Sequence, residues 1–125
     1  MQTLISFQTP QVSSDNVSKH IDKLMKLTGA SASVLAQGMN IPEPQFNRMA
    51  RKKSKFRAET LKPIERVEIL LQEALKTLTP VGVKHWLMEP NPYLNDVPPI
   101  LCMRSDKEME KVLSLLVAIR HGFPA

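Results

Sequence analysis

One cysteine, Cys102, stands among 125 residues. A single thiol cannot close an internal disulfide or furnish a cysteine-based zinc site. That economy fits a reducing compartment. Aromatic residues are also scarce, at 5% of the chain. A core must therefore be built mostly from Leu, Val, Ile, Met and Ala, which suits helices. The four glycines are scattered, which excludes a Gly-rich phosphate loop. The longest unbroken apolar run is Leu115–Ile119, far below the roughly 20 residues of a membrane-spanning helix. The opening stretch MQTLISFQTPQVSSDN lacks both a basic lead and a long apolar segment, so no signal peptide is expected. A soluble cytoplasmic protein, with no membrane partner, is the default expectation. No repeat or low-complexity segment interrupts the chain.

Acid is missing from one place in particular. Between Arg48 and Arg57 the chain reads RMARKKSKFR, with Arg48, Arg51, Lys52, Lys53, Lys55 and Arg57 and no Asp or Glu. The net charge of +5 arises from 17 basic and 12 acidic residues, so the remainder of the chain holds 11 against 12. All the excess charge sits in one decapeptide, as expected of a localised polyanion contact.

The length suits one domain or two small subdomains sharing a core. The periodicity predicts an all-α chain: a loose arm over 1–14, a helix-turn-helix unit over 15–58 and a second helical unit over 59–125. Asp15 or Asn16 can cap a helix from Val17, with Val17, Ile21, Leu24 and Leu27 on one face and Gly29 at its end. Ser31 can cap a short helix bearing Val34, Leu35 and Met39. Small Ala36, then Asn40 as a residue tolerant of positive φ, then Phe46 and Met49 at helical spacing, together describe a helix-turn-helix. Pro42 and Pro44 fall where a missing N–H does little harm. Glu43, Gln45, Asn47, Arg48 and Arg51 point outward from the second helix. Gln, Asn and Arg can pair with base edges. The candidate DNA-binding set is Gln45, Asn47, Arg48, Arg51, Lys52, Lys53, Lys55 and Arg57. A plain helical hairpin with a solvated basic face would have the same spacing.

Downstream, Thr60 or Lys62 is expected to cap a long helix, with Pro63 in its first turn and Leu61, Ile64, Val67, Leu70, Leu71, Ala74, Leu75 and Leu78 as its apolar stripe. Thr79-Pro80 opens the next helix, which carries Val81, Val83, Trp86 and Leu87. The stretch WLMEPNPYL then places the only Trp and the only Tyr at a proline-bounded corner. Asn95 and Asp96 are turn formers, and Pro98 and Pro99 open a short apolar piece. Ser105 and Glu108 form a capping box into a last helix that stops at Gly122, with Arg120 and His121 in its last turn. Its segment VLSLLVAI is apolar nearly all round, so it belongs at the centre of a core or under a partner.

No catalytic set emerges, and no enzyme or cofactor is expected. His20, His85 and His121 lack ligand-like spacing and read as ordinary surface or cap residues. Cys102 reads as a buried small hydrophobe. Glu65 with Glu68, and Glu108 with Lys111, read as solvated helix charges.

The C-terminal half resembles the toxin-binding domain of the Xre/MbcA/ParS-type antitoxins. The resemblance rests on Arg66 in the long helix, the block Trp86, Leu87, Pro90, Asn91, Pro92 and Leu94, then Pro98 or Pro99, and finally Leu116, Ile119 and Gly122. With the helix-turn-helix before it, the likeness covers about residues 17–124. Where that family usually has a Gly-Gly-like turn, this chain has Asn95-Asp96. The resemblance implies an antitoxin of a type II toxin–antitoxin system. It implies a RES-domain, NAD-consuming toxin as partner, and a C-terminal tail that blocks the toxin active site. Here that tail is Arg120–Ala125. The implied toxin-binding set is Leu116, Ile119, Arg120, His121, Gly122, Phe123, Pro124 and Ala125. A homodimer or a hetero-oligomer with the toxin would bind operator DNA and repress its own promoter. The competing expectation is a helix-turn-helix transcriptional regulator whose C-terminal helices only dimerise.

Overall fold

A computed structural model describes residues 11–51 and 55–122. Six α-helices form within them: α1 Val17–Thr28, α2 Ala32–Met39, α3 Glu43–Ala50, α4 Ala58–Thr77, α5 Pro80–Met88 and α6 Asp106–Arg120. Two single turns of 3-10 helix, Pro92–Leu94 and Pro99–Leu101, lie between α5 and α6. Among the described residues the only β pairing is one isolated bridge, Asn91 with Val97. The chain is thus all-α, as expected.

Local chemistry explains most helix ends. Ser31 accepts a hydrogen bond from the Val34 N–H, Thr79 from the Gly82 N–H and Ser105 from the Glu108 N–H. Each satisfies one otherwise unpaired N–H of a first helical turn. Gly29 ends α1 and Asn40 ends α2 with left-handed backbone, φ 71° and 58°. Asn16 occupies the capping position of α1, but its side chain accepts from the Ser13 N–H instead. The capping box before α6 is only half formed: the Glu108 carboxylate reaches past Ser105 to the Arg104 N–H.

The start of α4 differs from expectation. The helix begins at Ala58, after an extended Arg57 that makes no side-chain cap, so neither Thr60 nor Lys62 is the cap. Pro63 therefore lies inside the helix rather than in its first turn. One ladder hydrogen bond to the Glu59 carbonyl is forgone. Burial of Leu61 and Ile64 on either side holds the extra turn in place.

Three helices run the same way. Ser14 holds Phe56 just before α1 and α4 begin, His20 meets Glu68 midway, and Leu27 shares a groove with Leu75 near their ends. On the other flank of α4, Arg66 meets Asp106 and Thr77 meets Arg120. The C-terminal ends of α1, α4 and α6 therefore face one end of the molecule. Buried side chains from all six helices make one core cluster, including Leu24, Leu35, Phe46, Leu70, Leu87 and Leu116. The cluster crosses the expected boundary near residue 58.

Gly38 explains how closely the two halves meet. A Cβ there would collide with the carbonyl oxygen of Ile100. Only glycine lets α2 lie directly on the Pro99–Leu101 turn.

Two expectations about charge and polarity are corrected. Glu68 is buried, not solvated, and both of its carboxylate oxygens lie 2.6–2.8 Å from His20 Nδ1. Glu108 is half-buried and pairs with Arg104 at 3.0 Å. The last helix is not uniformly covered. Met109, Val112 and Leu116 are buried, Leu113, Leu115 and Ile119 pack partly, and Ser114 is exposed.

Candidate functional site

The α2–α3 hairpin is anchored from below. Phe46 and Met49 are fully buried under α3, and Ala36 and Met39 are buried under α2. The left-handed Asn40 and the extended Pro42 set the turn between them. With one face of α3 held inward, Arg48 and Arg51 are exposed, while Gln45 and Asn47 are half-buried beside them. Lys52 and Lys53 lie outside the described residues. Lys55 and Arg57 are exposed on the following segment. That segment is fastened by Ser14, whose hydroxyl donates to the Phe56 carbonyl at 3.2 Å and accepts from the Phe56 N–H at 2.7 Å. The arrangement can present amide and guanidinium groups at a helix surface with further cations alongside, the chemistry of base edges and phosphates.

The second candidate region begins at the proline corner. Asn91 is buried, and its side chain accepts the Tyr93 N–H at 2.9 Å. Its carbonyl accepts the N–H groups of Leu94 and Asp96, each at 2.9 Å. This pattern closes a tight loop whose left-handed positions, Asn95 and Asp96, have φ 58° and 63°. Both are short polar residues that tolerate that region. Leu87 and Leu94 are buried, Trp86 packs half-buried against the core, and Tyr93 is exposed. The corner thus divides its rare aromatics, Trp86 inward and Tyr93 outward.

Near that corner, hydrogen bonds from Arg104 hold the Glu108 carboxyl below its ordinary value despite partial burial. Burial pushes the Cys102 thiol up, with the Glu108 charge adding to it. Cys102 is half-buried, not fully enclosed as expected.

At the other end of α6, the expected toxin-facing residues separate. Leu116 is fully buried and belongs to the core. Ile119 is half-buried and also packs on the core. The Arg120 guanidinium is engaged within the chain, 3.1 Å from the Glu73 carboxylate and 2.9 Å from the Thr77 hydroxyl. His121 and Gly122 are exposed, and Gly122 has φ 91°. Phe123, Pro124 and Ala125 lie outside the described residues.

Sequence spacing missed Glu73 and Thr77, because their partner lies more than forty residues away on another helix. Burial of Glu73 alone would raise its carboxyl, but hydrogen bonds from Lys76 and Arg120 overcome this and hold it below its ordinary value. Among the described residues no cluster of three or more His, Cys, Asp or Glu could hold a metal ion. None of the described helices is long and apolar enough to cross a membrane.

Residues 79–122 match the family described as the antitoxin Xre/MbcA/ParS C-terminal toxin-binding domain. The matched segment runs from the Thr79 cap through α5, the proline corner and both 3-10 turns to Gly122 at the end of α6. The match supports an antitoxin role with a toxin as partner. No curated protein matches the chain.

Proposed function

We propose that the protein neutralises a RES-domain, NAD-consuming toxin by covering it with the C-terminal unit and blocking its active site with the tail. We further propose that the α2–α3 hairpin and the basic segment after it bind the protein's own promoter, making it an autorepressor that works as a dimer or a toxin complex in the cytoplasm. The protein itself is read as non-enzymatic. The observation that carries the reading is the family match over 79–122, which runs from the Thr79 cap through α5, the proline corner and α6 to Gly122. Exposed His121 and Gly122 support a tail that starts in solvent at the end of α6. Exposed Arg48, Arg51, Lys55 and Arg57 support a nucleic-acid contact.

The test is co-expression with the product of the adjacent reading frame, followed by pull-down and a growth assay. The full chain should bind that product and restore growth. A chain lacking residues 123–125 should keep its fold and lose protection. A truncated chain that still restores growth would sink the tail-block mechanism.

A further inference from the structure

A cavity of about 220 Å³ opens between the proline corner and the first turns of α6. Its floor includes Leu94, Val97 and Leu101, and its rim carries Tyr93, Arg104 and Lys111. The volume is below the roughly 300–1,000 Å³ of small-molecule sites, so it suits a single side chain rather than a cofactor. Tyr93 is 59% exposed, although it is the only tyrosine in the chain. Pro92 before it and the Asn91 side chain on its N–H fix its backbone. Immobilising such a pre-set aromatic on contact costs little entropy.

Charge around the rim is unequal. Arg104 is matched by Glu108 at 3.0 Å. Lys111, one turn further along α6, makes no salt bridge among the described residues. The rim keeps one surplus positive charge. A depression with apolar side chains in its floor, beside an exposed aromatic on a fixed backbone and a polar edge, is the make-up of an interface hot spot.

We propose that this cavity is a docking point for the toxin: it receives one aromatic or branched apolar side chain, while a toxin carboxylate beside it meets Lys111. The assignment rests on the antitoxin reading and adds a contact surface remote from the tail. Two observations select the toxin as occupant. The whole cavity lies within 79–122, the segment matched to a toxin-binding domain. A second copy docking through the same patch would bring the two surplus cations together, which opposes self-association there.

The test measures affinity for the purified product of the adjacent reading frame. Wild-type protein is compared with the variants Tyr93→Ala, Lys111→Glu and Lys111→Arg, each checked for an unchanged unfolding midpoint. Tyr93→Ala and Lys111→Glu should each weaken binding at least tenfold, and Lys111→Arg should bind like wild type. If both weakening variants stay within twofold of wild type, the docking assignment is overturned and the antitoxin reading stands. It is equally overturned if they change self-association and leave affinity for that product intact. If wild-type protein itself fails to bind, both readings fall together.

Discussion

Arg120, the last residue of α6, places its guanidinium 3.1 Å from the carboxylate of Glu73 on α4. The same group contacts the Glu73 carbonyl at 3.3 Å and the Thr77 hydroxyl at 2.9 Å. Thr77 in turn donates to the Glu73 carbonyl. With Arg66 and Asp106 paired at 2.9 Å at the other end, α6 is fastened to α4 near both of its termini. The direction in which the chain leaves α6 is thereby set from a different helix.

Arg120→Ala should destabilise the fold by about 1–2 kcal/mol in chemical denaturation at neutral pH. That is below the 3–5 typical of breaking a fully buried pair, because Arg120 is 35% exposed and Lys76 still faces Glu73. Amide exchange at His121 and Gly122 should accelerate in the same variant, since both N–H groups close the last turn of α6. Unchanged exchange would show that the turn holds without the clasp.

Stability should also depend on acid. The folded-state Glu73 carboxyl lies below its ordinary value of 4.5. Its contribution is therefore present above that value and is lost as pH falls through the lowered one. Glu73→Gln should flatten the stability profile below about pH 4.5 relative to wild type. Parallel profiles measured by denaturation from pH 3 to 7 would assign the acid sensitivity to other carboxylates.

Gly38→Ala offers a test of the contact between the two halves. Helix propensity alone would favour alanine by roughly 1 kcal/mol. The collision with the Ile100 carbonyl should reverse the sign, giving a net loss of about 1–3 kcal/mol in the unfolding free energy. A stabilised variant would mean that α2 and the Pro99–Leu101 turn can separate at little cost.

His20→Ala removes the close partner of buried Glu68 and leaves Lys23, at 3.9 Å, as its ion-pair partner among the described residues. A loss of about 1–3 kcal/mol is expected, the usual cost of stranding a buried polar group. Replacing His20 and Glu68 together by Leu and Met should recover much of it. A double variant as unstable as the single one would place the defect in packing rather than in the lost pair.

Reversing charge at Arg48 and Arg51 addresses the DNA reading. The double glutamate variant should lose promoter binding in a mobility-shift assay and keep its affinity for the toxin. Wild-type affinity should fall steeply with salt, as phosphate neutralisation requires. Unaltered promoter affinity in the variant would refute the assignment of α3 as the reading helix.

Features that depend on a few neighbouring atoms were legible in the residues. Ser31, Thr79 and Ser105 cap helices because a hydroxyl at that place reaches the N–H three residues on. Asn40, Asn95 and Asp96 take left-handed backbone because short polar side chains tolerate it. Apolar spacing likewise identified Phe46 and Met49 as anchors of α3. The match over 79–122 falls within the segment whose Trp86, Asn91 and Leu94 carried the resemblance.

The sequence by itself therefore determined the helical class, most helix ends, the location of the excess charge and the likeness of the C-terminal segment to a toxin-binding domain. Tertiary structure alone decided which side chains remain available for function. It buried Leu116, occupied Arg120 with Glu73 and Thr77, enclosed Glu68 against His20, and left Tyr93 exposed beside a cavity of mixed polar and apolar lining. Caps and turns are decided within about four residues, whereas burial and ion pairing are decided by helices forty or more residues apart, which spacing along one helix cannot report.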